Sequence, residues 1–591
     1  MVWGSAGAYA PVMRRLHLPI VLLAAGLVAA ACSGEAVAPP EADGSTTLPA
    51  PVTTMAPSTT TTVTTVPPAT TTSTLPPAPG TAEEAGLPWW NDRVFYQVFV
   101  RSFADSDGDG IGDLQGLTDR LDYLNDGDPA TTDDLGVTGI WLMPVFESPS
   151  YHGYDVVDYR AIESDYGTLE DFETFLAAAR GRGIAVVVDL VINHTSVEHP
   201  WFEASRDPQS PYADWYLWEE ADPGFPGPWG QTVWHPLDGR FYYGLFWEGM
   251  PDLNLESPEV TAEIEDIGSY WLGEVGVDGF RLDAARHLIE DGEVQEDTPE
   301  TIAWLEGFQR ATEETAPGSL LVGEVWSPSS VVAGYIPDAL DLAFEFDLAE
   351  GIVGGLEAGS ALGIRPVVER VVELYPQGQY AAFLSNHDQP RVMSRLFSTE
   401  RAAAAAVLML TNPGVPFLYY GEEIGLKGIK PDPRIRTPMP WTGEAPGHGF
   451  TEAAEPWEPF WPEADEVNVA AQDGSPGSLL SIYRDLIHFR NGSAALRYGD
   501  FVPVETGSGP VYAYLRTIGD DHVLVVVNVS RAASGVTLDL EEGPLAGVAT
   551  AESVIGPEVA TPEITSAGGL AGYRPVETLA PFEALIVQFG R

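Results

Sequence analysis

The sequence predicts an α/β fold, an eight-stranded parallel (β/α)8 barrel of the TIM type. Eight short, apolar, β-prone runs alternate with helix-sized segments, a pattern that favours a closed parallel barrel. In such barrels the chemistry lies at the C-terminal ends of the strands, and buried parallel strands are near-continuous apolar runs. Four runs end in clusters of Asp, Glu, His and Arg: DLVINH (189–194), GFRLDAARH (279–287), GEVW (323–326) and LSNHD (384–388).

The predicted strands follow one another from the start of the folded body, near Trp89. Helical patterns separate them, as at 168–183, where Thr168 is a plausible N-cap and Gly183 a plausible C-cap. We assign the barrel to 86–191 and 257–496. Its eight predicted strands are 94–100, 139–146, 184–191, 279–284, 320–326, 340–347, 380–388 and 416–423.

The connection after the third strand is too long for a loop. Residues 192–256 are rich in Trp and Tyr, and long loops in compact domains are usually functional. We predict a small inserted domain here, most of whose aromatic side chains pack its own core while two or three reach a ligand.

The chain changes character after a last barrel helix at 478–490. Alternating or apolar runs bounded by turn signals are typical of an antiparallel β domain, and we assign a β-sandwich to 497–591. Its predicted strands include 511–518, 522–530, 535–540 and 582–589.

The N-terminus has the pattern of an export signal. A charged stretch, Met13-Arg14-Arg15, precedes an apolar run that ends at Ala31, and this run is too short for a stable membrane span. Residues 1–32 resemble a bacterial lipoprotein signal in which Cys32 becomes lipidated; ordinary signal cleavage is the alternative. Because Cys32 is the only cysteine, the chain has no intrachain disulfide.

Residues 33–85 are dominated by Thr, Pro and Ala and cannot bury a core. They are typical of an extended tether. Together with a lipid anchor at Cys32, this tether predicts an extracellular, cell-surface lipoprotein that contacts the membrane only through its anchor.

The formal net charge of −58 is extreme. It argues against nucleic acid or an anionic membrane surface as a partner and suits a neutral substrate. Adaptation to salt, where screening relieves self-repulsion, and a compositional bias that gives an acidic, soluble surface are both open explanations.

The four clusters resemble the catalytic signatures of the α-amylase superfamily, retaining glycoside hydrolases of family 13, and the resemblance extends from Trp89 to the C-terminus. It implies that Asp283 is the nucleophile, that Glu324 is the general acid/base and that Asp388 binds the sugar hydroxyls. Retaining enzymes need two carboxyl groups about 5–5.5 Å apart, and neighbouring barrel strands can supply that spacing.

The resemblance also implies a substrate-binding set around the cleavage subsite. Arg281 lies two residues before Asp283 and so on the same face of the strand. Tyr154 matches a tyrosine that stacks under the sugar, and Arg286 and His287 match a pair that contacts the leaving-group sugars. The full set is His152, Tyr154, His194, Arg281, Arg286, His287, His387 and Arg436.

Several motifs indicate which glycosidic bonds are cleaved. The sequence YHGYD (151–155) stands in place of the Asp-Asn-Gly-Tyr of exo-acting relatives, which argues against cleavage from the end of the glucan. Ala284, directly after the nucleophile, favours α-1,4 cleavage. In contrast, MPDLN (250–254) and IRTPMPW (435–441) resemble the intermediate group between oligo-1,6-glucosidases and neopullulanases.

An acidic stretch after the first strand predicts a structural Ca²⁺ site. Oxygen ligands at alternating positions, with glycines between them, match the first part of an EF-hand loop, although Gly116 replaces its twelfth-position Glu. A solvated acidic turn is the alternative, and a second calcium near Asn193 and Asn254 is a weaker expectation. The predicted ligand positions are Asp105, Asp107, Asp109, Ile111 and Asp113.

We therefore expect a monomeric, retaining, endo-acting α-1,4-glucan hydrolase that degrades starch or maltodextrins. An α-glucosidase or a cyclomaltodextrinase- or neopullulanase-like enzyme with mixed α-1,4 and α-1,6 specificity is the first alternative. A non-catalytic glucan-binding or transporter-associated homologue is the second. No motif for a redox or nucleotide cofactor is present.

Overall fold

The computed structural model describes residues 80–590. The predicted leader, Cys32 and the tether up to residue 79 lie outside the described residues. Residues 80–85 form a turn that packs on the body, since Ala82 is fully buried and its N–H donates to Asp92 at 2.7 Å. The folded body therefore begins before the predicted boundary at 86. Within this part of the chain, no helix combines the length and the hydropathy that crossing a membrane requires.

Eight parallel strands form the barrel in the predicted order. A parallel bridge between Phe344 and Ala381 joins the sixth strand region to the seventh and nearly closes the sheet. The strands are shorter than predicted. They are Phe95–Val98, Gly139–Leu142, Ala185–Leu190, Gly279–Leu282, Leu320–Gly323, Leu342–Ala343, Ala381–Ala382 and Val415–Tyr419.

Aromatic side chains fill the barrel interior. Phe95 and Phe417 stack with ring centroids 4.5 Å apart, and Trp141 packs on Phe344 at 5.1 Å. Gly323 allows close packing, because a Cβ there would lie 2.3 Å from Leu340 Cδ1 and would force that side chain to move. This packing fixes the strand ends that carry the polar clusters.

Helices surround the barrel. Thr168 is the N-cap of one of them, as predicted, and makes reciprocal bonds with Asp171; Gly183 follows the C-cap residue with a φ of 75°. A π-helical segment, Tyr270–Val275, continues Pro258–Ser269, and short 3-10 turns span Trp89–Asp92, Val100–Ser102, Ala333–Tyr335 and Asp432–Arg434. The α-helices are Leu114–Asp119, Leu121–Leu124, Leu169–Gly181, Pro200–Ser205, Pro258–Ser269, Pro299–Thr315, Ser329–Val332, Phe346–Ala358, Arg365–Leu374, Val392–Leu396, Thr399–Thr411, Val469–Gln472, Leu479–Gly492 and Ala494–Tyr498.

The long connection after the third strand contains a small antiparallel sheet. Its strands are Trp218–Glu219, Trp234–Leu237 and Arg240–Tyr243. As expected, many of its aromatic residues are structural: Trp215, Tyr216, Tyr242 and Tyr243 are all buried. A separate two-stranded ladder, Phe146–Glu147 with Asp158–Ile162, follows the second barrel strand.

The C-terminal region is an antiparallel β structure, as predicted. Side chains from its five-stranded and three-stranded sheets, such as Leu515 and Leu538, share one apolar core. Its strands are Asp500–Pro503, Glu505–Thr506, Val511–Ile518, Asp521–Asn528, Ser534–Gly535, Leu538–Leu540, Thr550–Ile555, Leu570–Tyr573, Thr578–Leu579 and Ala584–Gly590.

Candidate active site

Two carboxylates follow neighbouring barrel strands directly. Asp283 comes after Gly279–Leu282, and Glu324 comes after Leu320–Gly323. These strands pair in register, so the two side chains emerge at the same end of the barrel. The third carboxylate, Asp388, was expected at the end of the seventh strand, but that strand ends at Ala382 and Asp388 reaches the site from the segment beyond it.

Arg281 joins these carboxylates. Its Nη1 lies 2.7 Å from Asp283 Oδ1, and its Nη2 lies 2.6 Å from Glu324 Oε2. The guanidinium is 1% exposed, so its charge acts in a poorly screened environment. One planar cation therefore holds two carboxylates from adjacent strands close together. Its contact with Asp283 agrees with the predicted shared strand face, whereas its contact with Glu324 was not predicted.

The environment of Glu324 favours its protonated form. Burial raises the pKa of Glu324 to about 8; the nearby Arg281 opposes this shift, while Asp283 and Asp388 add to it. The backbone N–H of Ala284, which donates to Glu324 at 3.3 Å, also opposes the rise in the pKa. Ala284 adopts a left-handed φ of 49°, a strained conformation for a residue other than glycine and one that is common at functional sites.

Asp388 is held in its charged form. Burial alone would raise its pKa, but His387 and Arg436 outweigh that effect and hold the pKa of Asp388 well below its usual range. Arg436 Nη2 lies 2.9 Å from Asp388, and its Nε donates to the His387 carbonyl at 3.0 Å. His387 Nε2 lies 3.0 Å from the other carboxylate oxygen.

The base of the site contains two polar residues to which the sequence analysis gave no role. Asp189, fully buried, accepts hydrogen bonds from Arg281 at 2.8 Å and from the Tyr154 hydroxyl at 3.1 Å. Gln97 Nε2 lies 2.7 Å from His387 Nδ1. Because an amide nitrogen can only donate, this contact leaves the proton of the neutral imidazole on Nε2, facing Asp388. A single Asp inside the apolar run AVVVDL was the available signal for Asp189.

Tyr154 and two predicted histidines surround the carboxylates. The Tyr154 ring stacks on His387 with centroids 5.5 Å apart. Burial lowers the pKa of His152 to about 3 and also lowers the pKa of His194, so both rings are neutral hydrogen-bonding groups. His194 Nε2 is buried without a hydrogen-bond partner among the described residues.

The structure places Arg286 and His287 to one side of this centre. Arg286 donates to the carbonyl of Trp326 at 2.5 Å and forms an ion pair with Asp297. His287 Nδ1 lies 2.8 Å from the carbonyl of Gln295. Both side chains therefore already have protein partners. A direct contact with a ligand would have to use their remaining nitrogens.

Aromatic surfaces lie on two sides of the carboxylates. Trp326, two residues after Glu324, is 39% exposed and stacks flat on Phe346 with centroids 4.6 Å apart. On the Arg436 side, Tyr151 stacks on Trp457 at 5.4 Å, and the Arg436 guanidinium lies 5.9 Å from the Tyr151 ring. Trp326 and Tyr151 belong to the motifs GEVW and YHGYD, but no role was predicted for either residue.

The acidic loop after the first strand brings three of its predicted ligands together. Carboxylate oxygens of Asp105, Asp107 and Asp109 lie within 4.8 Å of one another, and such oxygen donors suit Ca²⁺. Asp113 is engaged elsewhere, since it caps a helix by accepting from Gly116 at 2.7 Å. The Ile111 N–H donates to Asp109 at 2.8 Å.

The two residues of the second calcium expectation donate hydrogen bonds to different partners. Asn193 Nδ2 donates to Asp252 at 3.0 Å, whereas Asn254 Nδ2 donates to the carbonyl of Asp214 at 2.8 Å. Asn193 Oδ1 is buried without a partner. This second site stays a prediction.

Comparison with known proteins identifies the family to which this chain belongs. The model of the α-amylase catalytic domain matches residues 97–499. The chain belongs to the α-amylase family of glycoside hydrolases. The predicted barrel fold and the predicted enzyme class are thereby confirmed.

Relatives in the α-amylase family differ in activity. Alpha-amylase 3 of Dictyoglomus thermophilum is 38% identical, over 75% of this chain and 86% of that protein. Oligo-1,6-glucosidase of Parageobacillus thermoglucosidasius is 32% identical, over 75% of this chain and 91% of that protein. The crystal structure of the α-amylase from H. orenii matches with a TM-score of 0.74 and 41% identity, covering 84% of this chain and 99% of that one.

Proposed function

We propose that the protein is a retaining, endo-acting α-1,4-glucan hydrolase. The observation that carries this proposal is the pair of carboxylates bridged by Arg281, of which Glu324 has a pKa raised to about 8, above all by burial. Retaining hydrolysis needs one carboxylate as nucleophile and one protonated carboxyl group nearby. Asp283 is the nucleophile, and Glu324 is the acid/base.

The reaction proceeds in two displacements. Asp283 attacks the anomeric carbon while Glu324 gives its proton to the departing glycosidic oxygen, which forms a glycosyl ester. Glu324, now ionised, takes a proton from water, which attacks the same carbon and releases Asp283. Asp388, fixed by Arg436 and His387, accepts hydrogen bonds from the sugar hydroxyls, most strongly in the oxocarbenium-like state.

The distribution of aromatic surface supports internal cleavage. Trp326 lies beside Glu324, where leaving-group sugars would sit, and the Tyr151–Trp457 stack lies on the side of Arg436. Partly exposed rings on both sides of the scissile bond suit a glucan that extends in both directions. Tyr151, which carries no carboxylate, occupies the place where exo-acting relatives have the Asp of Asp-Asn-Gly-Tyr.

A second candidate is an enzyme with mixed α-1,4 and α-1,6 specificity. The oligo-1,6-glucosidase relative supports it, as do the motifs at 250–254 and 435–441, which resemble the intermediate group between oligo-1,6-glucosidases and neopullulanases. Transglycosylation would follow in such an enzyme when a sugar replaces water in the second displacement.

We further propose one structural Ca²⁺ at Asp105, Asp107 and Asp109. The loop is tied to the cleft wall, because Trp457 N–H donates to the Gly110 carbonyl at 2.9 Å and Asp105 N–H donates to the Phe450 carbonyl at 2.9 Å. A cation there would neutralise three clustered carboxylates and stabilise the segment that positions Trp457.

The cellular context is a proposal from the sequence outside the described residues. Lipidation of Cys32, the tether that follows it and an extracellular, cell-surface location belong together, and the protein acts as a monomer on glucan. Metabolic labelling with palmitate, with Cys32→Ser as control, tests the anchor: equal labelling of both proteins would refute it.

Product lengths test the proposed activity. The purified protein is incubated with maltoheptaose, and products are resolved by length at early times, with Glu324→Gln as control. A ladder of mid-length oligosaccharides that is absent in the variant supports internal cleavage. Glucose alone from the first time points would favour an α-glucosidase, and no turnover at all would favour a glucan-binding homologue.

A further inference from the structure

One carboxylate, that of Asp297, joins the segments that follow the fourth and fifth barrel strands. Asp297 lies immediately before Thr298, the N-cap residue of the helix Pro299–Thr315. Its Oδ2 accepts a hydrogen bond from the Ser327 hydroxyl at 2.7 Å, and its Oδ1 accepts one from the Tyr335 hydroxyl at 2.9 Å. Both donors belong to the segment after the fifth strand, so the two oxygens of one side chain hold that segment at two points.

Arg286 adds a third connection between the two segments. Its Nη2 forms an ion pair with Asp297, and its Nη1 donates to the carbonyl of Trp326 at 2.5 Å. The backbone N–H of Asp297 donates in turn to the Arg286 carbonyl at 2.8 Å. Both side chains of the ion pair are mostly buried, so solvent screens their attraction only in part. Asp297 therefore fixes Arg286, and Arg286 fixes the backbone of Trp326.

The segment that carries Asp297 is itself held in place. The Thr298 hydroxyl donates to the Ile289 carbonyl at 2.6 Å, and the Ile289 N–H donates to the Thr301 hydroxyl at 3.0 Å. Asp297 adopts a left-handed φ of 56°, a conformation that strains residues other than glycine and that is concentrated at functional sites. In this conformation its carboxylate meets the segment after the fifth strand from a rigid base.

The indole ring of Trp326 is the surface that these contacts position. One face of the ring stacks on Phe346, with centroids 4.6 Å apart and an angle of 8° between the planes. The residue is partly exposed, so the ring still offers apolar surface to the cleft. Trp326 lies two residues after Glu324, which protonates the departing oxygen, and an aromatic surface at this place suits the apolar face of a leaving-group sugar.

We propose that Asp297 is a positioning residue for the leaving-group side of the active site. It holds Trp326, through Ser327 and Arg286, where the indole packs on a sugar of the leaving group. The inference rests on the proposed function and adds to it a residue that acts only through others. Loss of the Asp297 carboxylate releases Trp326 and slows the reaction of those substrates whose leaving group is a sugar.

Two substrates separate this effect from a general loss of activity. Maltoheptaose has leaving-group sugars, whereas α-maltosyl fluoride has only fluoride in their place. Asp297→Gly removes the carboxylate, and glycine adopts the left-handed φ without strain. Its kcat/KM should fall about tenfold to 100-fold on maltoheptaose and stay within about twofold of the wild type on α-maltosyl fluoride, since misplacing a positioning group by about 1 Å can cost about 100-fold. Asp297→Asn keeps one acceptor oxygen and should lose less.

Two control variants test whether the effect belongs to Asp297. Glu296→Gln removes the other carboxylate that pairs with Arg286, at 3.1 Å, and leaves the bonds of Asp297 in place. Asp521→Gly removes a carboxylate of the C-terminal region that also accepts from two side chains, those of Ser493 at 2.9 Å and Gln588 at 2.7 Å. Both controls should keep the wild-type ratio of the two activities, although Asp521→Gly should lower the Tm.

Thermal unfolding of each variant checks that it is folded at the assay temperature. Equal losses on the two substrates in Asp297→Gly would reduce Asp297 to a structural residue and overturn the proposal. An unchanged kcat/KM on maltoheptaose, or the same selective loss in Asp521→Gly, would overturn it as well. A wild-type protein that does not cleave maltoheptaose would contradict the proposed function itself, and this inference would fail with it.

Discussion

Replacing Arg281 by Met tests the electrostatic basis of the site. The guanidinium makes three ion pairs, with Asp189 at 2.8 Å, Asp283 at 2.7 Å and Glu324 at 2.6 Å. Methionine keeps much of the side-chain volume but leaves these carboxylates without their cation. Breaking a buried ion pair costs about 3–5 kcal/mol, and we expect a loss of that size in the free energy of unfolding.

The loss should depend on pH, and its sign follows from the pKa values. Burial raises the pKa of Glu324 to about 8 and that of Asp189 to about 7. Each group therefore stabilises the fold fully below its unfolded-state pKa, and this stability is lost as the pH rises through the folded-state pKa. Since Arg281 opposes both shifts, its removal raises both pKa values further. The destabilisation by Arg281→Met is thus smallest near about pH 5 and largest near about pH 8.

Denaturant unfolding at both pH values measures this difference. Arg490→Met is the matched control, because Arg490 is also 1% exposed but donates to backbone carbonyls, such as those of Leu410 and Gly414, both at 2.7 Å. Burial lowers the pKa of Arg490 to about 9, so it stays protonated across this range and its loss should not vary with pH. An equal loss of stability in the two variants at both pH values would refute the electrostatic role of Arg281.

Three further predictions concern the active site and the acidic loop. We expect kcat/KM on maltoheptaose to fall about tenfold per pH unit above about pH 8, because burial raises the pKa of Glu324 to about 8; a decline that begins near about pH 6 would contradict this assignment. Ala284→Val should lower both Tm and kcat/KM, since a β-branched residue at a φ of 49° adds about 1–3 kcal/mol of strain. Ala284→Gly should keep the wild-type Tm, and equal behaviour of the two variants would argue against strain. Chelation by EGTA should lower the Tm of the wild type but not of Asp107→Asn, and an equal drop in both would remove the calcium proposal.

The barrel could be predicted from the sequence because each strand is a continuous apolar run bounded by polar residues. All eight strands lie within or at the edge of their predicted segments, but they are shorter. Pattern alone could not set their ends. Asp388, for example, lies six residues beyond Ala382, on backbone that has left the sheet.

Local pairs in the site were also predictable, since Arg281 and Asp283 share one face of a strand. The contacts between different strands were not. Asp189 and Gln97 come from the third and first strands and meet Arg281 and His387 only through the pairing of the strands in the sheet.

Trapping the glycosyl intermediate tests the central claim most directly. In Glu324→Gln, α-maltosyl fluoride can still glycosylate the nucleophile, because fluoride leaves without a proton, while the second displacement lacks its base. Mass spectrometry of the digested protein should find a maltosyl group on the peptide that contains Asp283. A label on another carboxylate would contradict the assignment of Asp283, and fluoride release without any labelled protein would contradict double displacement.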